Sequence, residues 1–147
     1  MKRLFLYYSY GHNGDLVADY LKNKGFDIRK VESKYKLSRR LFPAMMKGGF
    51  HALIGRKPKL INYNPDLSGY DEIYVGSPIW CARLAPVTNT VLKKTDFTGK
   101  KLTFILYSGS GFGEKANEKI NKMYPDAKVI FLQEPKKYPK ELEKLEF

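Results

Sequence analysis

At 147 residues, with 43% hydrophobic content and 21 aromatic side chains, the chain has enough apolar surface to fold as a single domain over 1–147 and too much to remain disordered. Its one cysteine, Cys81, excludes an intramolecular disulfide framework. The apolar run Leu4 to Tyr8 is too short for a signal core or a membrane span, so a cytoplasmic protein with no membrane insertion is expected. The net charge of +12 is concentrated: residues 22–59 hold 12 Lys and Arg against Asp27 and Glu32. That segment reads either as a solvated face or as a docking surface for something acidic.

Residues 3–9 read as a buried strand, aromatic and aliphatic in succession, as a parallel sheet covered on both faces requires. Asn13 is placed to cap a helix with Leu16, Val17, Tyr20 and Leu21 at helical spacing, and Gly25 is a left-handed stop. Residues 26–32 suit a less buried strand near an edge. Over 37–54, Leu41, Met45, Met46, Phe50 and Leu53 keep a helical stripe that Pro43 and Gly48-Gly49 interrupt. Two glycines inside a helix cost about 2 kcal/mol relative to alanine, so two short helices or a kinked one are expected. Residues 56–68 read as an irregular connection. The central strand is expected over 70–76, a helix over 84–94, a strand over 101–107, a helix over 112–124 bounded by Pro125, and a last strand over 127–132. Residues 139–147 read as a short final helix. Strands alternate with helices throughout, which predicts a parallel sheet with helices on both faces.

In such sheets, ligands bind outside the carboxyl ends of the strands. Three loops lie at those ends. Ser9-Tyr10-Gly11-His12-Asn13-Gly14 joins a strand to a helix N-terminus, where backbone N–H groups receive an anion. Pro78-Ile79-Trp80-Cys81 follows the central strand, so an indole at its rim can stack on a flat cofactor. Ser108-Gly109-Ser110-Gly111-Phe112-Gly113 follows the next strand, and Tyr107 or Phe112 can approach the other face or rim of such a ring. Neither glycine loop makes G-x-G-x-x-G, and no Walker lysine follows. Ser9, Ser77 and Ser108 have no base at a recognisable spacing, so no catalytic residue is assigned. Two histidines, His12 and His51, and one cysteine make no metal cluster.

These stretches together resemble the flavodoxin family over nearly the whole chain. Leu6-Tyr7-Tyr8-Ser9 leading into Asn13 is similar to the family's first strand and phosphate loop. Tyr70 through Trp80 is similar to its third strand and first flavin loop, and Ser108 to Gly113 to its second. The resemblance implies a flavodoxin-like doubly wound fold, five parallel strands in the order 2-1-3-4-5. It also implies FMN, with its phosphate in the first loop and its ring between the other two. Against the family pattern S/T-x-T-G-x-T, Gly11, His12 and Gly14 stand where Thr, Gly and Thr are expected. Two phosphate-binding hydroxyls are thus missing, each worth about 1.5–3 kcal/mol. His12 can donate in their place when protonated, while Asp15 in the first helical turn opposes a phosphate unless its carboxylate points away.

The function expected is therefore FMN-dependent electron transfer, with an acidic redox protein docking on 22–59 and no nucleic acid partner. Two alternatives stay open: a flavin-dependent NAD(P)H:quinone-type reductase, and a flavin-free interaction module on the same fold with a degenerate phosphate loop.

Overall fold

The computed structural model describes residues 1–34 and 57–147. The interrupted helix expected over 37–54 lies outside the described residues. Elsewhere the elements run β1 (Arg3–Tyr7), α1 (Asn13–Asn23), β2 (Asp27–Lys30), β3 (Glu72–Trp80), β4 (Arg83–Leu84), α2 (Pro86–Lys94), β5 (Lys101–Ser108), α3 (Glu114–Met123) and β6 (Lys128–Gln133), followed by a 3-10 helix (Pro139–Lys144).

Five strands pair in parallel in the order β2-β1-β3-β5-β6, and the two-residue β4 pairs antiparallel with the end of β3. With β4 set aside, this is the expected 2-1-3-4-5 order. Alternate residues of each strand serve opposite faces. Leu4, Leu6, Ile73, Val75, Phe104 and Leu106 pack with Val87 and Val91 of α2 and Ala116 and Ile120 of α3. Their neighbours Phe5, Tyr7, Tyr74, Ile105 and Tyr107 pack with Val17, Ala18 and Leu21 of α1, together with Leu145. Burying each large apolar side chain contributes about 1.5–3 kcal/mol, so two cores of this size hold the sheet between its helical layers.

The helix ends follow local chemistry. Gly25, at φ 90°, ends α1: its N–H bonds Lys22 O while the Phe26 N–H bonds Leu21 O. That pair of bonds is the glycine stop the sequence predicts. At the other end, the capping position belongs to His12, left-handed at φ 68°, and not to Asn13. The Asn13 side chain is occupied elsewhere, its Oδ1 accepting the Lys136 N–H at 2.9 Å. Pro86 opens α2, where its missing N–H costs nothing.

The largest departure is in β3, which runs nine residues to Trp80, all buried, where sequence reading stops the strand at Gly76. Pairing explains the extension. Residues 76–78 face Ile105–Tyr107 of β5, and Ile79 and Trp80 face β4. The stretch from Pro78 to Trp80 is thus strand, and the turn that follows it contains only Cys81 and Ala82.

Candidate functional site

A cavity of about 160 Å³ lies where the carboxyl ends of β1, β3 and β5 meet. The first loop contributes Ser9, Tyr10, Gly11 and Asn13, β3 contributes Pro78, Ile79 and Trp80, and β5 contributes Tyr107, Ser108 and Gly109. Glu134, just beyond β6, completes the lining. Larger cavities occur elsewhere; one of about 590 Å³ lies at the opposite end of β5 and β6, between Phe97 and Tyr124. It shares no residue with the three loops.

The first loop is held by bonds that leave helix N–H groups available. The Gly14 N–H donates to Ser9 Oγ at 3.0 Å, and the first intrahelical bond runs from the Leu16 N–H to His12 O. The N–H groups of Asn13 and Asp15 precede that bond and find no acceptor among the described residues; helix-start donors of this kind can receive an anion. Asp15 does not oppose one. Its carboxylate accepts from the Tyr7 hydroxyl (2.7 Å), the Lys30 ammonium (2.8 Å) and His12 Nδ1 (3.0 Å). Burial alone would raise its pKa, but these three bonds outweigh burial and lower it to about 2. Burial and the bond to Asp15 in turn push the Tyr7 phenol upward, so it remains a donor.

Glycine at position 14 is required by what surrounds it. A Cβ there would lie 2.5 Å from the Tyr107 hydroxyl and 2.7 Å from Ser9 Cβ. The Tyr107 phenol fills this space and reaches the backbone next door. The Tyr8 N–H bonds Gly76 O, so the next rung of the parallel ladder would run from residue 78 to Tyr8 O. Pro78 has no N–H. The buried Tyr107 hydroxyl donates to Tyr8 O in its place, and burial holds its pKa well above that of an ordinary tyrosine.

Trp80 is at the cavity but is only 5% exposed. Tyr8 meets its ring edge-on at 6.2 Å and Tyr10 at 5.7 Å. The indole therefore lies under the first loop, and Tyr10, 39% exposed, covers it. The turn beyond it is strained: Cys81 and Ala82 have φ of 52° and 62°, where non-glycine residues are disfavoured by about 1–2 kcal/mol each.

The third loop is tied to itself. The hydroxyls of Ser108 and Ser110 both donate to Phe112 O, and the Gly111 N–H bonds Ser108 Oγ. Phe112 packs on Phe131 with centroids 4.9 Å apart and is 52% exposed, so it is not a wall of the slot. Gly113 lies under Ile79, where a Cβ would come within 2.8 Å of it. Of the sixteen residues proposed from sequence, nine line the cavity, while His12, Gly14, Cys81, Ser110, Gly111, Phe112 and Gly113 do not. Sequence reading missed Glu134. Its only signal is its place at the carboxyl end of the last strand; its N–H bonds Ser108 O and its φ is 33°.

The sequence profile of the flavodoxin family matches residues 54–138. A protein of Bacteroides uniformis designated a flavoprotein superposes with a TM-score of 0.69 at 23% identity, covering 87% of this chain and 88% of its own. A similarly designated protein of Bacteroides eggerthii gives 0.70 at 17%, covering 99% of each chain. The flavoprotein of Lactobacillus acidophilus in complex with FMN gives 0.66 at 19%, covering 95% and 97%. At such identities these structures show a shared fold. No curated protein matches the chain in sequence.

Proposed function

Because the chain belongs to the flavodoxin family, we propose that it binds FMN at the carboxyl ends of β1, β3 and β5 and works as an electron carrier. The observation that carries this reading is the first turn of α1. Glycine-lined backbone, with N–H groups of Asn13 and Asp15 that find no acceptor among the described residues, adjoins one cavity with a tryptophan, and the Asp15 carboxylate of the first helical turn is tied up by three donors. The Lactobacillus acidophilus protein of the same fold holds FMN.

The residues fit the cofactor's two ends differently. The phosphate end meets main-chain donors, while the His12 ring and the Lys30 ammonium are bonded to Asp15. The ring end requires more room, since about 160 Å³ is below the roughly 300–1,000 Å³ of cofactor sites. Tyr10 lies over Trp80 and is the exposed member of the pair, so the ring enters by taking the place of the Tyr10 side chain. Bound FMN supplies one- or two-electron chemistry. The protein supplies position, a dry indole wall and a net positive field, which favours a less negative reduction potential than an acidic flavodoxin provides.

The absorption spectrum of the purified protein tests this. A yellow preparation releasing one FMN per chain is the expected result. Colourless protein that ignores millimolar FMN would overturn the proposal in favour of an interaction module.

A further inference from the structure

We propose that the groove between β4 and α3 is the docking surface for an acidic redox protein. That the partner is a redox protein rests on the FMN proposal above; the location of the groove and its preference for acidic chains do not.

The groove holds about 370 Å³ and is framed by Arg83, Asn89 of α2 and the outer face of α3. Lys115, Lys119 and Lys122 sit at i, i+4 and i+7, so their ammonium groups form a row on one helix face about 10 Å long. Lys119 donates to Asn89 Oδ1 at 2.7 Å. Its partial burial, and after that the charge of Lys57, hold its pKa below the ordinary lysine value. Lys57 is fixed alongside α2, where the next residue's carbonyl, Pro58 O, accepts the Thr90 hydroxyl at 2.8 Å.

This charge is not neutralised from within the chain. None of Arg83, Lys57, Lys115, Lys119 and Lys122 is in an ion pair among the described residues. The undescribed stretch 35–56 contains no Asp or Glu that could supply one. Among the described residues that line the groove, Glu118 is the one carboxylate beside Arg83, Lys115, Lys119 and Lys122. An isolated carboxylate in the row repels a uniform polyanion, whereas a protein surface of mixed charge can answer it with one cation of its own. Among the described residues, no aromatic side chain lines the groove to stack nucleobases.

Position supplies the functional sense. The groove and the FMN cavity are opposite sides of one two-residue turn. Trp80 lines the cavity, its pairing partner Arg83 lines the groove, and the Ala116 N–H of α3 donates to Ala82 O at 2.9 Å between them. A partner seated on the groove is therefore brought to the indole edge of the cofactor site.

The test uses the full chain and a fluorescein-labelled acidic peptide of five glutamates and one lysine, read by anisotropy at low and high salt. The groove variant Lys115→Glu/Lys122→Glu is compared with the charge-matched Lys128→Glu/Lys140→Glu, which lies outside the groove. The expected result is a loss of affinity of about tenfold or more for the groove variant, against less than about threefold for the control, with the difference shrinking as salt rises. Equal losses for the two variants would overturn the proposal. So would a dT12 oligonucleotide that binds more tightly than the peptide and is lost in the groove variant, since that assigns the surface to nucleic acid. FMN titration of the same variants separates the two claims. Wild type without FMN binding refutes the cofactor reading, while unchanged FMN affinity in a groove variant that no longer binds peptide supports the assignment of the groove.

Discussion

The two ends of the sheet are closed in different ways. At the amino end, Glu72 is buried and its charge is spent on Arg3 at 2.7 Å and Lys101 at 3.3 Å, so this charge is satisfied within the chain. At the carboxyl end, helix N–H groups find no acceptor among the described residues, four non-glycine residues at the turns have left-handed φ (His12, Cys81, Ala82 and Glu134), and an indole is met by Tyr8 and by the partly exposed Tyr10. Strain persists only where surrounding structure fixes it. The contrast separates an end built for stability from one that keeps binding capacity in reserve.

Mutations at the two ends should therefore separate stability from ligand binding. The largest effect is expected for Trp80→Ala, which removes a buried aromatic and should cost about 3–5 kcal/mol in urea unfolding, with FMN binding lost as well. Tyr107→Phe removes the buried hydroxyl that donates to Tyr8 O, a cost of about 1–3 kcal/mol. Because it loosens the first loop, it should weaken FMN more than riboflavin, a ratio measurable by fluorescence titration. Glu72→Gln should cost about 1–2 kcal/mol and leave FMN affinity unchanged; reduced affinity would break the comparison between the ends. Smallest is the acid limb of stability assigned to Asp15. Its folded pKa of about 2 lies below the ordinary 3.8, so its contribution is complete above that value and is lost as the pH falls toward 2. Discounted for partial exposure, it amounts to about 1–2 kcal/mol. In Asp15→Asn, the pH dependence of unfolding over that window should flatten correspondingly.

Much of the framework was legible because it depends on short-range patterns. The strand-helix alternation, the Gly25 stop and the two-faced strands each follow from residue spacing, and the position of the loops follows from connectivity. What was not legible depends on tertiary pairing. β3 continues through Pro78 because β5 and β4 accompany it there, and no local propensity announces that. Cys81 and Ala82 adopt left-handed backbone without the glycine that normally signals it. The Tyr107 phenol replaces a rung that Pro78 cannot donate, a relation between residues far apart in sequence. Phe112, read as a ring wall, instead finds a better partner in Phe131.

The most direct test of the cofactor site is titration of FMN into the apo protein while following tryptophan emission. Trp80 is the sole tryptophan, so the signal comes from the cavity alone. Saturable quenching that ends at one FMN per chain is the predicted result. Emission that stays constant up to millimolar FMN would contradict the placement of the flavin ring against Trp80.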